Sequence, residues 1–355
     1  MHLIKLLIII LCGLAIAYTT GSHNPSSTAW YAPTVALLLA VGLYASTYGI
    51  DIKEAKQHAK IIISAVTIGV VLKAAIIGVS LSLLFNDPFF LILGVAVAQI
   101  DPLSVANLLK GNRMSKKAKT ILASWASFDD PITVLLSLYV PLVVVHLTSL
   151  NLSAIDSSAS ANFMAYVASV GLNVVLAGSA LLLWLIIRRY AKTASGRLAS
   201  ALTVCVYLLL AAVFSVSVLH FMMLGIALIG LFLRPPKVAA FIDTAVTGAL
   251  YGAALLLGFV LVKDIDIKRG LALGTAAYFS QVVVGFLLTR SLPAKDRWHI
   301  SFAQQNGITA IILSLLFEPV HPGTVAIVAP AIITINCLHW LMNKLVDQKF
   351  QSSHH

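Results

Sequence analysis

The chain has 355 residues, 59% of them hydrophobic and only 10% charged, with a formal net charge of +11 and a mean hydropathy of +0.96. A soluble domain carries roughly 25% charged residues, so a water-soluble globular protein is excluded. Apolar stretches recur at the length a bilayer-crossing helix needs, and β-barrel strands would alternate polar and apolar residues instead. The composition therefore predicts an all-α polytopic membrane protein.

Twelve spans are expected, at 3–19, 30–50, 60–84, 88–109, 119–146, 162–188, 198–214, 217–233, 239–262, 269–290, 298–317 and 323–343. The first, "LIKLLIIILCGLAIAYT", lacks a small-x-small cleavage site and reads as a span rather than a signal peptide. No soluble domain fits between spans, and residues 346–355 form a tail whose "SSHH" resembles a tag remnant. The loops after spans 2, 4, 6, 8 and 10 carry Lys and Arg, whereas those after spans 1, 3, 5, 7 and 11 carry none. The basic loops belong on the cytoplasmic side, with both termini there. The loop "KDIDIKRG" after span 9 breaks the rule with three basic residues, which leaves open one miscounted span near 198–233. The same loop bias accounts for the positive net charge without nucleic acid. Cys12, Cys205 and Cys337 all lie in apolar segments and read as buried reduced thiols, with no disulfide or metal spacing.

Spans 4 and 11 echo each other. "AQIDPLSVANLL" and "AQQNGITAIILSLL" both show Ala-Gln, then a helix breaker, then a small and β-branched run. The two spans run in opposite directions, and matched breaks in inverted segments point to an inverted-repeat transporter. Chance similarity between apolar helices is the plain alternative.

Of the thirteen acidic residues, Asp101, Asp129 and Asp130 fall well inside spans, and Asp243 lies nearer one end of span 9. A buried aspartate can be structural, but intramembrane ionisable groups are functional by default. Lys73 is the one clearly mid-span basic residue, so ion pairs cannot neutralise all three carboxylates. Some must be protonated, cation-bound or hydrated. Adjacent carboxylates in a low-dielectric site repel each other, and desolvation opposes both charges. A proton or a monovalent cation relieves that cost, and competition between them for the same oxygens is sufficient for exchange. Asp129 and Asp130 point about 100° apart on a helix. Pro131 removes a backbone donor beside them. Pro102 disfavours helical backbone at Asp101, so span 4 is expected to unwind there, with Asp101 balancing half-helix charge. Gln99 and Ser127 are supporting polar candidates. Gln304, Gln305 and Asn306, followed by Gly307, form the matching polar break in span 11, with interhelical hydrogen bonding as the structural alternative.

"QIDPLSV" in span 4 combined with "SFDDPITVL" in span 5 resembles the monovalent cation/proton antiporter superfamily, the sodium/proton exchangers. The stretches "YGIDIKEAKQHAKIIISAV" and "FIDTAVTGALYGAALLLGFVLVKDIDI" are also similar, so the resemblance covers most of the chain. It implies broken, crossed spans 4 and 11, an ion-transport core at 60–146 and 263–345, and a scaffold and dimerisation domain at 1–59 and 147–262. It further implies elevator-like alternating access, a homodimer, and pH homeostasis in a bacterial or archaeal inner membrane. Asp130 maps to the main proton and cation carrier, Asp129 to its neighbour, and Asp101 to the span-4 aspartate. The transported species are Na+ (or Li+ or K+) and H+, with no cofactor.

The departures from the family pattern are Ile100 in place of threonine, Trp125 in place of a glutamate, and Gln281 aligned with a basic residue. The partner of Asp129 is thereby left open. Lys73 is either a substitute cation or a snorkelling, structural lysine. An acidic pair in the family suggests electrogenic exchange, and the missing span-10 cation weakens that reading. Two other classes share some of these features. A sodium-coupled organic anion symporter could use Gln99, Gln305 and Asn306, but the acidic pair disfavours an anion. An intramembrane aspartyl protease could pair Asp101 with Asp130, yet the Gly-x-Gly-Asp and Pro-Ala-Leu signatures are missing. A channel filter sequence is also missing. His58, His220 and His339 read as hydrogen-bonded structural residues rather than pH sensors.

Overall fold

The computed structural model describes residues 2–20, 25–50, 52–100, 105, 114–148, 159–193, 195–261, 264–303 and 307–351. The helices in chain order are α1 (His2–Thr20), α2 (Tyr31–Tyr48), α3 (Ile52–Gln57), α4 (Ala59–Ser64) and α5 (Val70–Phe85), with a π-helical turn at Ala65–Gly69 joining the last two. There follow α6 (Phe89–Ala96), α7 (Lys116–Thr148), α8 (Ala159–Ala191), α9 (Arg197–Leu219) and α10 (Met223–Gly230). The chain then forms α11 (Pro236–Val260), α12 (Ile267–Leu288), α13 (Ala294–Ser301), α14 (Ile308–Phe317) and α15 (Thr324–Gln351). Seven helices among the described residues are long and apolar enough to cross a membrane. Hydrocarbon offers backbone groups no hydrogen bonds, so apolar segments of this length must bond internally as helices.

Small residues set the closest packing, as expected where lipid removes the hydrophobic drive between helices. Gly78 of α5 and Gly94 of α6 face each other, and Gly94 also lies against the Ala74 carbonyl. Gly270 and Gly274 of α12 lie against Ile327, Pro330 and Ala331 of α15. Helix α1 packs on α11, and α10 packs among α2, α7 and α8. A large apolar cluster runs through α2, α6, α10, α12, α14 and α15. A smaller one gathers Ile62, Val66, Ile100, Ile121, Trp125, Val284 and Ile300 around the polar residues described below.

Two expectations are corrected, the end of the seventh span and the burial of the cysteines. The seventh span does not end at 214: α9 continues to Leu219, and the chain turns at His220–Met222, where Phe221 has φ 53°. No Gly or Pro lies between 214 and 219 to stop the helix sooner. Helix α7 runs unbroken through Pro131 and Pro141. The three cysteines are free, but they are exposed on the outer faces of their helices rather than buried.

Candidate ion-binding site

Three segments build the site. Helix α5 brings Lys73, one turn beyond the π-helical segment; such bulges are frequent at functional sites. Helix α7 brings Trp125, Asp129, Asp130 and Thr133. Helix α6 stops at Ala96, and the non-helical Val97–Ile100 segment brings Gln99 and the Ile100 amide.

Lys73 does not snorkel. Its side chain is 0% exposed, and Nζ donates to Asp129 Oδ2 at 2.8 Å. The Ile100 N–H donates to the same oxygen at 2.8 Å. The Lys73 ammonium lies 5.3 Å from the Trp125 ring centroid. Asp129 is thus fixed from three directions by an ammonium, an amide and its own helix. Its other oxygen, Oδ1, has no hydrogen-bond partner among the described residues. Asp130, one residue on, is 2% exposed. Asp129 is ion-paired to Lys73 of α5, and Asp130, about 100° round the helix from it, is buried beside the same lysine and acts on it electrostatically.

Neutral polar residues lie close to the pair along the same segments. Gln99 is fully buried, and neither atom of its carboxamide has a partner among the described residues. Thr133 lies one turn beyond Asp130 on the same face of α7; it is fully buried, and its hydroxyl has no such partner. The sequence reading missed Thr133, although its spacing of three from Asp130 was a usable signal. Pro131 has no N–H, so the Ser127 carbonyl four residues before it receives no helical hydrogen bond. Ser127 itself is half-buried. Gln281, aligned with a basic position, is fully buried and donates to the Ile300 carbonyl at 3.3 Å, so it ties α12 to α13. Asp101, Pro102, Gln304, Gln305 and Asn306 lie outside the described residues. Asp243 is exposed on α11. Among the described residues no group of three or more His, Cys, Asp or Glu could hold a metal ion.

Other polar residues clamp helix ends. Asp296 of α13 accepts from the Ser115 amide at 2.9 Å and hydroxyl at 2.5 Å, at the start of α7. His339 and Asn343 of α15 both contact the Phe302 carbonyl, at 2.9 and 3.2 Å. At one end of the bundle Glu318 accepts from the Gly323 and Val325 amides at 3.0 and 2.8 Å. In the same turn His321 stacks on Phe89, with centroids 3.7 Å apart and planes 9° apart. Burial pushes its imidazole below the ordinary histidine value; Asp87 opposes the shift and Arg269 adds to it.

Two carboxylates and a lysine sealed between apolar helices mark a functional site inside the membrane. The family model described as "Sodium/hydrogen exchanger, transmembrane" matches residues 3–340, and the chain belongs to that family. Its fold is similar to that of the sodium proton antiporter MjNhaP1 from Methanocaldococcus jannaschii at pH 8, with a TM-score of 0.67 at 16% identity, covering 95% of this chain and 92% of that one. An electron-microscopy structure of MjNhaP1 gives a TM-score of 0.63 at 16% identity, covering 95% and 88%. Family and fold are those of a transporter, not an enzyme, and the aspartyl protease alternative is set aside.

Proposed function

We propose that the protein exchanges a monovalent cation, Na+ foremost, for protons, and that both compete for the Asp130 carboxylate. The observation that carries this reading is a buried carboxylate doublet inside an apolar helix, with Asp129 held by Lys73 at 2.8 Å and Asp130 2% exposed beside it. A proton neutralises Asp130 directly. A dehydrated cation does so with help from neutral oxygens, for which Gln99, Thr133 and the Ser127 carbonyl are the candidates. Asp129 keeps its charge against Lys73 and shapes the local field.

In the same reading Asp101 and Pro102, with Gln304, Gln305 and Asn306, form the broken centres of the fourth and eleventh spans. Residues 60–146 and 263–345 then move as an ion-carrying core against a scaffold of 1–59 and 147–262. The helix windows within Ala168–Ala191 and Arg197–Leu219 bury only 17% and 11% of their residues, which favours a homodimer formed through the scaffold. Both termini face the cytoplasm of a bacterial or archaeal inner membrane.

The test is a proteoliposome assay of cation-driven proton movement with Na+, Li+ and K+ at several pH values. Asp130→Asn abolishes the signal for every cation while the protein stays folded. Wild-type rates in that variant would defeat the proposal.

A further inference from the structure

Away from the carboxylates, a cavity of about 690 Å³ opens between α1 and α11 on one side and α14 and α15 on the other. Leu7, Leu11, Leu257, Ile333, Cys337 and Trp340 are among its lining residues, and Asn336 is the one amide there. The Asn336 Nδ2 group already donates to the Ile332 carbonyl at 2.8 Å, within its own helix. The slot therefore offers water almost nothing to bond to. It is open along its length, because Leu11, Ile333 and Trp340 are 60%, 51% and 65% exposed. Along α15 the lining runs from Ala329 to Leu341, which is roughly 18 Å at ~1.5 Å per residue. One leaflet of the hydrocarbon core is about 15 Å deep, half of ~30 Å.

One end of the slot is polar. Trp340 lies there, and the Lys344 ammonium sits 5.4 Å from its ring centroid, one turn further along α15. A tryptophan at that level marks the membrane–water boundary, and a lysine beside it attracts anionic headgroups.

We infer that this slot is a lipid site, taking one acyl chain of an anionic phospholipid whose phosphate pairs with Lys344. The chain supplies the dispersion contacts that α1 and α15 do not make with each other. The inference does not rest on the exchange reading, since lipid retention is measured without a transport assay.

The test is native mass spectrometry of the full-length protein after exchange into micelles holding equal phosphatidylglycerol and phosphatidylcholine. Wild type retains one phospholipid per chain and prefers phosphatidylglycerol by roughly fivefold. Lys344→Gln keeps one lipid and loses the preference. The double variant Leu11→Trp and Ile333→Trp fills the slot and loses the lipid, with monodispersity and melting temperature reporting its fold. A second measurement covers the case in which that variant misfolds: brominated phosphatidylglycerol quenches wild-type tryptophan fluorescence, and Trp340→Phe removes most of the quenched component. Equal lipid retention in the folded, slot-filled variant would overturn the inference. So would unquenched Trp340, or a Cys337-to-Cys337 disulfide forming efficiently in a Cys12→Ser, Cys205→Ser background, which would put a second copy of the chain on this face.

Discussion

Lys73 and Asp129 stand 56 residues apart in the chain and 2.8 Å apart in the fold. A buried pair offsets much of the desolvation of its two ions, and removing one partner leaves an uncompensated charge. Lys73→Met is therefore expected to cost about 3–5 kcal/mol, read as a lowered denaturant midpoint in detergent. Adding Asp129→Leu to that variant recovers most of the loss, because no ion is then stranded. At Thr133 the expected effect is on cation affinity. Thr133→Val raises the cation concentration for half-maximal exchange by roughly two- to tenfold, the equivalent of one contact of about 0.5–1.5 kcal/mol, while a Thr133→Ser variant stays near wild type. The carboxylates themselves were legible in the sequence, because a charge inside an apolar run stands out. The Lys73 pairing was not, because it depends on the rotation and register of two helices, and neither is written in either segment alone. Thr133 escaped because a lone threonine in an apolar run looks like ordinary helix.

Helix-level order here depends on backbone approach and end-capping. A Cβ on Gly94 would lie 2.7 Å from both the Ala74 carbonyl oxygen and the Gly78 amide nitrogen. Neither is a side chain that can swing away, so Gly94→Ala must push α5 from α6. A loss on the order of 1–3 kcal/mol is expected, together with slowed exchange, since Lys73 rides on α5 and Gln99 follows α6. At the start of α15, Glu318→Ala removes the acceptor for two amides, and a cost of about 0.5–2 kcal/mol follows, measured as a lower melting temperature with site affinity unchanged. Periodicity and length made most helices readable. The end of α9 was misjudged because hydropathy dips without a breaker do not stop a helix. Pro131 removes a backbone donor, yet α7 continues through it and through Pro141, since neighbouring helices hold its axis while single hydrogen bonds are lost.

Across the whole molecule, one end of the bundle carries a titratable contact joining α6 to the turn before α15. The pH sign follows from the lowered His321 value. Above the unfolded-state value of about 6.5 the imidazole is neutral in both states and the Phe89 stack contributes fully. As pH falls from there toward the folded-state value, the unfolded chain binds the proton more readily, and stability is lost. Among the described residues Asp87 raises and Arg269 lowers its proton affinity. Melting temperature is expected to decline over that interval, and less steeply in His321→Leu; parallel profiles would remove His321 as the cause.

The sequence by itself determined the solvent of this protein and the chemistry of its centre. Fifty-nine per cent hydrophobic residues force helices in lipid, and aspartates kept inside such helices mark where charge is handled. The family followed from two short motifs for the same reason, because those residues are costly where they stand. Only the tertiary structure decided that Asp129 is the aspartate paired with Lys73. That choice depends on Lys73 arriving from another helix at hydrogen-bond distance, on a tryptophan covering it, and on a non-helical segment presenting one amide. These relations are set by packing between distant segments, and local pattern carries no record of them.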